Sequence, residues 1–397
     1  MDASAVDSLR PARRLPRTYT GFADALIRRH RPLAEAVWRR CRRRLPAVAG
    51  DAFRGACGGL PDWTVLAADG TRLNCPRSAA NEAGLDPIGK AGIGPQIAGT
   101  LLFHVGSSLP WDVRLGPGRD GEQTQLTEMF GDLPAKTLLL ADAGFSSCAA
   151  LRRLATDEHA FLIRAGGNRR LLTELSNLGE CEYADGRSGR GQQVWLWPQN
   201  LRRAGETPLS LRLIELETDR SDCPNLFLLT NLPTAELSDA QAAELYKLRW
   251  GVEVGFRTLK QTLEGRTLRS RTPKRALAEA EWLVLSLWLL GALAAPAVRS
   301  AGKAASAWSP SATAKAVRRR MRFAERTGGR WTKTLRADLA ACAIDRRPRR
   351  AAKQRFRHPQ KKIGRPPTPP EVRPAEPAER RRYKAILAQG RGHTLTA

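Results

Sequence analysis

Apolar positions first recur at helical spacing. In "FADALIRRHRPLAEAVWRRCRRRL", Leu26, His30, Leu33, Val37 and Cys41 fall three or four residues apart with arginines between them. That spacing predicts amphipathic helices with a cationic face over residues 1–60. From residue 61 the pattern turns strand-like. "WTVLAADGT" is an apolar run ending on Asp69 at a Gly turn, "IAGTLLFHV" (97–105) is another, and "WDVRLGPG" (111–118) stops at Gly and Pro. "DGEQTQLTEMFGDL" places Leu126, Met129 and Phe130 on one side of a helix. "KTLLLADAGFSS" is a strand ending on Asp142, "SSCAALRRLATDE" a helix opened by serine caps, and "HAFLIRAGG" a further strand. Strands followed by alternating helix and strand predict an α/β layer with a mixed sheet over 61–165.

Residues 166–235 change texture. Turn signals cluster ("AGGN", "ADGRSGRGQ", "SDCPN") between short strands such as "QQVWLWP", "LSLRLIELET" and "NLFLLTNL", which predicts an all-β insertion. Helix returns over 236–300, capped at Ser238 or Asp239. Within it, "WLVLSLWLLGALAAPAV" (Trp282–Val298) carries no charge. Its length is at the short end for a membrane span and "RTPKRALAEAE" flanks it, so it is read as a buried core helix. Residues 301–397 form a basic C-terminal region. "HPQKKIGRPPTPPEVRPAEPAERRR" is rich in proline and charge and is expected to be disordered.

Charge changes the picture from fold to partner. The 397 residues hold 66 Lys and Arg against 39 Asp and Glu, a net charge of +27. Such an excess points to a polyanion, with nucleic acid ahead of an anionic membrane surface. The cysteines (41, 57, 75, 148, 181, 223, 342) are scattered without a CxxC pair, which points to a reducing cytoplasm and no zinc module. The histidines are isolated as well, and the N-terminus has no apolar run of the secretory kind.

The stretch "YKLRWGVEVGFRTLK" (246–260) carries the candidate chemistry. On a regular helix Tyr246, Arg249, Glu253 and Lys260 fall within about 60° of one another. Trp250 borders that stripe, and Leu245, Leu248, Val252, Phe256, Leu259 and Leu263 form a separate apolar seam. By itself the stripe also suits a surface Arg249–Glu253 salt bridge. Asp69 and Asp142, each ending an apolar strand, add to it, because ligands bind at strand ends in open α/β sheets. Three converging carboxylates form an oxygen-only set suited to Mg²⁺ or Mn²⁺, and two such ions can drive phosphodiester chemistry. Arg and Lys would hold phosphates, and the rings would stack on bases or pack against sugars. Glu122 is read as stabilising a helix N-terminus, and Asp112 and Asp120 as structural.

The spacing Tyr246-x2-Arg249-x3-Glu253-x6-Lys260 resembles the signature of DDE transposases of the insertion-sequence-4 family. "DGT" (69–71) is similar to that family's first-aspartate motif and "DAGF" (142–145) to its second, in the same order along residues 60–300. The resemblance implies a ribonuclease-H-like mixed sheet flanked by helices and interrupted by the β-rich insertion. It implies that Asp69, Asp142 and Glu253 hold two divalent ions, and that Tyr246, Arg249 and Lys260 contact phosphates. Trp250 would pack near a flipped base, with Trp195 or Trp197 as the second ring, though alternating Trp residues on a strand equally suit core packing. The implied partners are double-stranded DNA, as terminal inverted repeats and target, and a second copy of the chain bridging two ends. A catalytically silent DNA-binding relic, a related metal-dependent nuclease and a basic RNA-bound structural protein are the competing readings.

Overall fold

The computed structural model describes residues 24–25, 27–55, 60–85, 94–175, 183–184, 190–218, 225–327, 332–344 and 368–389. The strand-forming runs assemble into one sheet: β1 (Thr64–Asn74), β2 (Gln96–His104), β3 (Leu109–Pro117), β4 (Thr137–Ala141), β5 (Ala160–Arg164), β6 (Arg170–Thr173), β7 (Tyr183–Ala184), β8 (Arg190–Leu196), β9 (Leu209–Glu217), β10 (Asn225–Thr230) and β11 (Glu371–Pro374). The order is β11-β6-β8-β9-β10-β5-β4-β1-β2-β3, with β7 paired to β8. Strands β1 to β3 are antiparallel, while β4 runs parallel to β1 and β5 parallel to β4. This mixed arrangement is the ribonuclease-H-like one expected. Every residue of β4 is buried. An unbroken apolar run such as "TLLLA" therefore fits a central parallel strand covered on both faces.

The helices are α1 (His30–Ala49), α2 (Ala79–Gly84), α3 (Glu122–Glu128), α4 (Cys148–Thr156), α5 (Gln199–Ala204), α6 (Asp239–Leu248), α7 (Gly251–Arg257), α8 (Pro273–Ser300), α9 (Pro310–Thr327), α10 (Thr332–Ala340) and α11 (Pro377–Ala388). Helix α8 is the apolar one, and among the described residues it alone is long and apolar enough to cross a membrane. Here it packs on β3, α1, α9 and α10, burying Val284, Leu285, Leu287, Trp288, Ala294 and Val298. Helix α1 buries His30, Ala34, Trp38, Cys41 and Leu45. The expected seam included Leu33, but Leu33 is exposed, so the buried face is rotated toward Ala34 and Trp38. Trp38 donates to Glu281 on α8, which also pairs with His30, and that contact orients the helix. Leu26 lies outside the described residues.

Two features of the layout appear only in the structure. The β-rich segment is continuous with the central sheet, because β10 pairs antiparallel with β5 and carries the sheet outward through β9, β8 and β6. The C-terminal region is also partly built into the fold. Trp308 is buried and donates to the Ser107 carbonyl at 3.1 Å. Strand β11 pairs with β6, and Tyr383 and Ile386 of α11 pack on the β-rich segment. Proline and charge density misled here because the anchoring residues are few and spaced along a short helix. Glu379 is buried where Arg373 grips it through two bonds of 2.9 Å. Residues 345–367, which hold the first ten residues of the proline-rich run, lie outside the described residues.

Candidate active site: three carboxylates and two arginines

Strand register brings the two aspartates together. The parallel β1–β4 pairing ends at Ala67 opposite Leu140. Asp69 and Asp142 each lie two residues further on, so they stand side by side where the strands part. Asp142 follows the strand end as expected, whereas Asp69 sits within β1, which continues to Asn74 paired with β2. Each aspartate accepts the next residue's N–H, Gly70 and Ala143 respectively, at 2.8 Å, which fixes its carboxylate orientation.

Face selection follows from the pleat. Gly70 and its partner Thr100 look toward α3, where Thr100 bonds Gln125 and a methyl group at position 70 would lie 2.1 Å from the Glu122 carboxyl carbon. Asp69 therefore points to the opposite face, the one covered by α7. Glu122 sits in the first turn of α3 and pairs with Arg72 at 3.2 Å. On the Asp69 side, Phe103 of β2, paired with Ala67, meets Gly255 of α7: a methyl there would lie 3.1 Å from the ring. Lacking a side chain, Gly255 lets α7 settle on the sheet and holds Glu253 over Asp69.

The signature segment is less regular than a single helix. Helix α6 opens with a Ser238–Gln241 capping box. Around Arg249 and Trp250 the hydrogen bonds tighten to i→i+3, with Arg249 N–H to Tyr246 and Val252 N–H to Arg249, each at 3.1 Å. Helix α7 then widens into a π turn over Thr258–Thr262. These changes of pitch depart from the regular helix on which the stripe is drawn. Lys260 falls in the π turn, half-buried near Arg266, and among the described residues it makes no ion pair with the three carboxylates. Burial first, then Arg266, pulls its pKa down.

Arg249 occupies the centre of the site. Its Nη1 lies 3.8 Å from Asp69 Oδ2 and its Nη2 3.4 Å from Glu253 Oε1. The guanidinium carbon is 5.6 Å from the Tyr246 ring centroid, a cation–π distance. Burial opposes the Arg249 charge, but Tyr246, Asp142, Asp69 and Glu253 together raise its pKa. All three signature carboxylates thus act on one cation. Burial also raises the Asp69 pKa, opposed by the Gly70 N–H and Arg249 and reinforced by Glu253 and Glu122. Burial likewise pushes the Tyr246 phenol up. The Tyr246 hydroxyl and Arg249 Nε are both buried without a hydrogen-bond partner of ordinary geometry, although the guanidinium is near enough to offset part of the shift on the phenol.

A second arginine escaped the sequence reading. Arg164, the last residue of β5, places Nη1 3.8 Å from Asp142 Oδ1. Its signal was weak, being one basic residue closing an apolar strand beside the Asp142 strand. The rings divide clearly. Trp250 is 55% exposed beside the site. Trp195 and Trp197 are 5% and 2% exposed, in a core with Leu172, Tyr383 and Ile386. They pack the β-rich segment against α11 and are not placed to stack on a base. Among the described residues no group of three His, Cys, Asp or Glu stands close enough to hold an ion as the side chains lie, and Arg249 stands beside two of the three carboxylates.

A mixed sheet with two aspartates at its splayed centre and a glutamate on the covering helix defines a DDE-type catalytic domain. Residues 61–289 match the family described as transposase DDE domain, and the chain belongs to that family. It is similar to transposase InsG of insertion sequence element IS4 from Escherichia coli K12, 28% identical over 240 residues, 57% of this chain and 51% of that protein. It is similar also to the putative transposase InsL of IS186A from the same strain and to the transposase of IS421 from Escherichia coli. Each is 28% identical over 227 residues, 48% of this chain and 60% of that protein. The chain thus spans between about half and three-fifths of these relatives' length. A piggyBac transposase synaptic complex with hairpin DNA aligns with TM-score 0.41 and 13% identity, over 74% of this chain and 60% of that one.

Proposed function

We propose that this chain is a DNA transposase that cuts at the ends of an insertion sequence and joins the freed 3′ ends to target DNA. The observation that carries the reading is that Arg249 lies 3.8 Å from Asp69 and 3.4 Å from Glu253, beside the strand end that bears Asp142 and its neighbour Arg164. The donor set suits hard divalent ions, being carboxylate oxygens only. Asp69, Asp142 and Glu253 would hold two Mg²⁺ or Mn²⁺. When bound, such ions lower the pKa of an attacking hydroxyl and neutralise charge on the leaving oxygen.

The chain's own groups position the substrate. The partnerless Tyr246 hydroxyl and Arg249 Nε are donors waiting for an acceptor, which phosphate oxygens supply. Lys260 adds a cation further along the segment, and exposed Trp250 offers a stacking face for a displaced base. In the first step water attacks the end phosphorus, the bond to the 3′ oxygen breaks, and that oxygen leaves as a hydroxyl after taking a proton. In the second, this 3′ hydroxyl gives up its proton and attacks a target phosphodiester, whose own 3′ oxygen leaves. Two copies of the chain, one at each end, would keep the ends paired.

The test is cleavage of supercoiled plasmid carrying the DNA that flanks this gene, with Mg²⁺ or with EDTA, for wild type and Glu253→Ala. Metal-dependent cuts at the element ends, absent in Glu253→Ala while DNA binding persists, are expected. Equal cleavage by both proteins overturns the site, and tight binding without metal-dependent cleavage would establish a silent relic.

A further inference from the structure

Every carboxylate of the site already faces a guanidinium. Arg249 spans Asp69 and Glu253 at 3.8 and 3.4 Å, and Arg164 faces Asp142 at 3.8 Å. These contacts are longer than the roughly 2.7–2.9 Å of a charge-assisted hydrogen bond. Arginines with structural tasks in the same chain bind tightly: Arg373 meets Glu379 twice at 2.9 Å, and Arg42 meets Asp112 and Asp132 at 3.1 and 2.9 Å. The site arginines are therefore held by charge without close directional bonds. Arg249 Nε, buried and without an acceptor, leaves part of that guanidinium unsatisfied where it stands. A guanidinium and a divalent ion cannot share the space between these carboxylates, because like charges a few ångström apart repel.

We propose that Arg249 and Arg164 are the resident counter-ions of the carboxylates in the DNA-free protein and that they exchange these carboxylates for DNA phosphates as divalent ions load. The proposal rests on the transposase reading and deepens it. Arg249 and Arg164 become two-position side chains that couple metal binding to DNA binding. Linkage makes the coupling reciprocal: phosphate draws the arginines away and strengthens metal binding, and metal expels the arginines and strengthens phosphate binding. A protein built this way keeps its carboxylates neutralised, and so poor at binding ions, until DNA is present.

The experiment titrates Mn²⁺ into the full chain and reads free Mn²⁺ by electron paramagnetic resonance. It is run with and without a duplex taken from the flanking DNA, with the DNA-alone signal subtracted. Wild type should bind Mn²⁺ about tenfold or more tightly with the duplex than without it. Arg249→Gln and Arg164→Gln should each bind Mn²⁺ about tenfold more tightly than wild type without DNA, and the duplex should then add little. Arg249→Lys, which keeps the charge, should retain the weak DNA-free binding of wild type. Melting curves confirm that each variant is folded. Unchanged Mn²⁺ affinity in both Gln variants, or equal wild-type affinity with and without DNA, overturns the exchange. Glu253→Ala separates the two layers: if it abolishes Mn²⁺ binding while the arginine variants behave as wild type, the site stands and the exchange fails. If Glu253→Ala binds Mn²⁺ like wild type, the site itself fails.

Discussion

Replacing Gly255 by alanine is expected to slow DNA cleavage more than it unfolds the protein. The added methyl would lie 3.1 Å from Phe103 Cε2, 3.4 Å from Cζ and 3.7 Å from Cδ2. Carbon contacts settle at about 3.5–4.0 Å, so ring or helix must yield by roughly half an ångström. Phe103 is 3% exposed in the core, so most of the movement falls on α7. Glu253, two residues before Gly255, then lifts away from Asp69. Helix propensity returns up to about 1 kcal/mol when Gly becomes Ala, and overpacking costs about 1–3 kcal/mol, leaving a net loss of about 0–2 kcal/mol. Misplacement by 1 Å can cost about a hundredfold in rate, so half of it should cost about tenfold. Single-turnover cleavage of end DNA in Mg²⁺, read beside the melting temperature and DNA affinity, measures this. The double variant with Phe103→Leu, which trims the ring, should recover much of the lost rate, with a coupling beyond the additive expectation. A folded Gly255→Ala protein that cleaves at the wild-type rate would show that this close approach does not set the Glu253 position.

Asp69→Asn should melt higher than wild type at neutral pH while losing cleavage. Burial raises the Asp69 pKa above its ordinary 3.8, so folding disfavours the charged form. Wild type regains stability as pH falls through the raised value, and the advantage of Asn should vanish below 3.8. A neutral-pH melting temperature at or below wild type would contradict this. Glu379→Ala leaves Arg373 and Arg202 without their shared partner, so β11 and α11 should detach. Amide exchange over 371–389 should accelerate while the central strands keep their protection, and unchanged exchange there would refute the anchor.

Periodicity made the central strands and the burial of α8 legible, because alternation and 3.6-residue spacing are local properties of the chain, but it misplaced Leu33 and Leu248, which are exposed. The order of Asp69, Asp142 and Glu253 was legible for the same reason, since each sits in a short stretch whose residue types carry its chemistry. Pitch was not legible. The tightening at Arg249 and the π turn at Thr258–Thr262, which packs on α8 and α9, are departures from regular pitch that a helical repeat does not encode.

By itself, then, the sequence determined which segments form strand or helix and which residue types carry the candidate chemistry, and its net charge of +27 pointed to a polyanion. Tertiary structure alone decided the rest. It joined the β-rich segment to the central sheet, turned Trp195 and Trp197 inward against α11, and left Trp250 at the surface. It also set Arg249 and Arg164 against the three carboxylates. The physical reason is that pairing partners and ion pairs distant in sequence are chosen by the free energy of the assembled core, and no local window contains both members of such a pair.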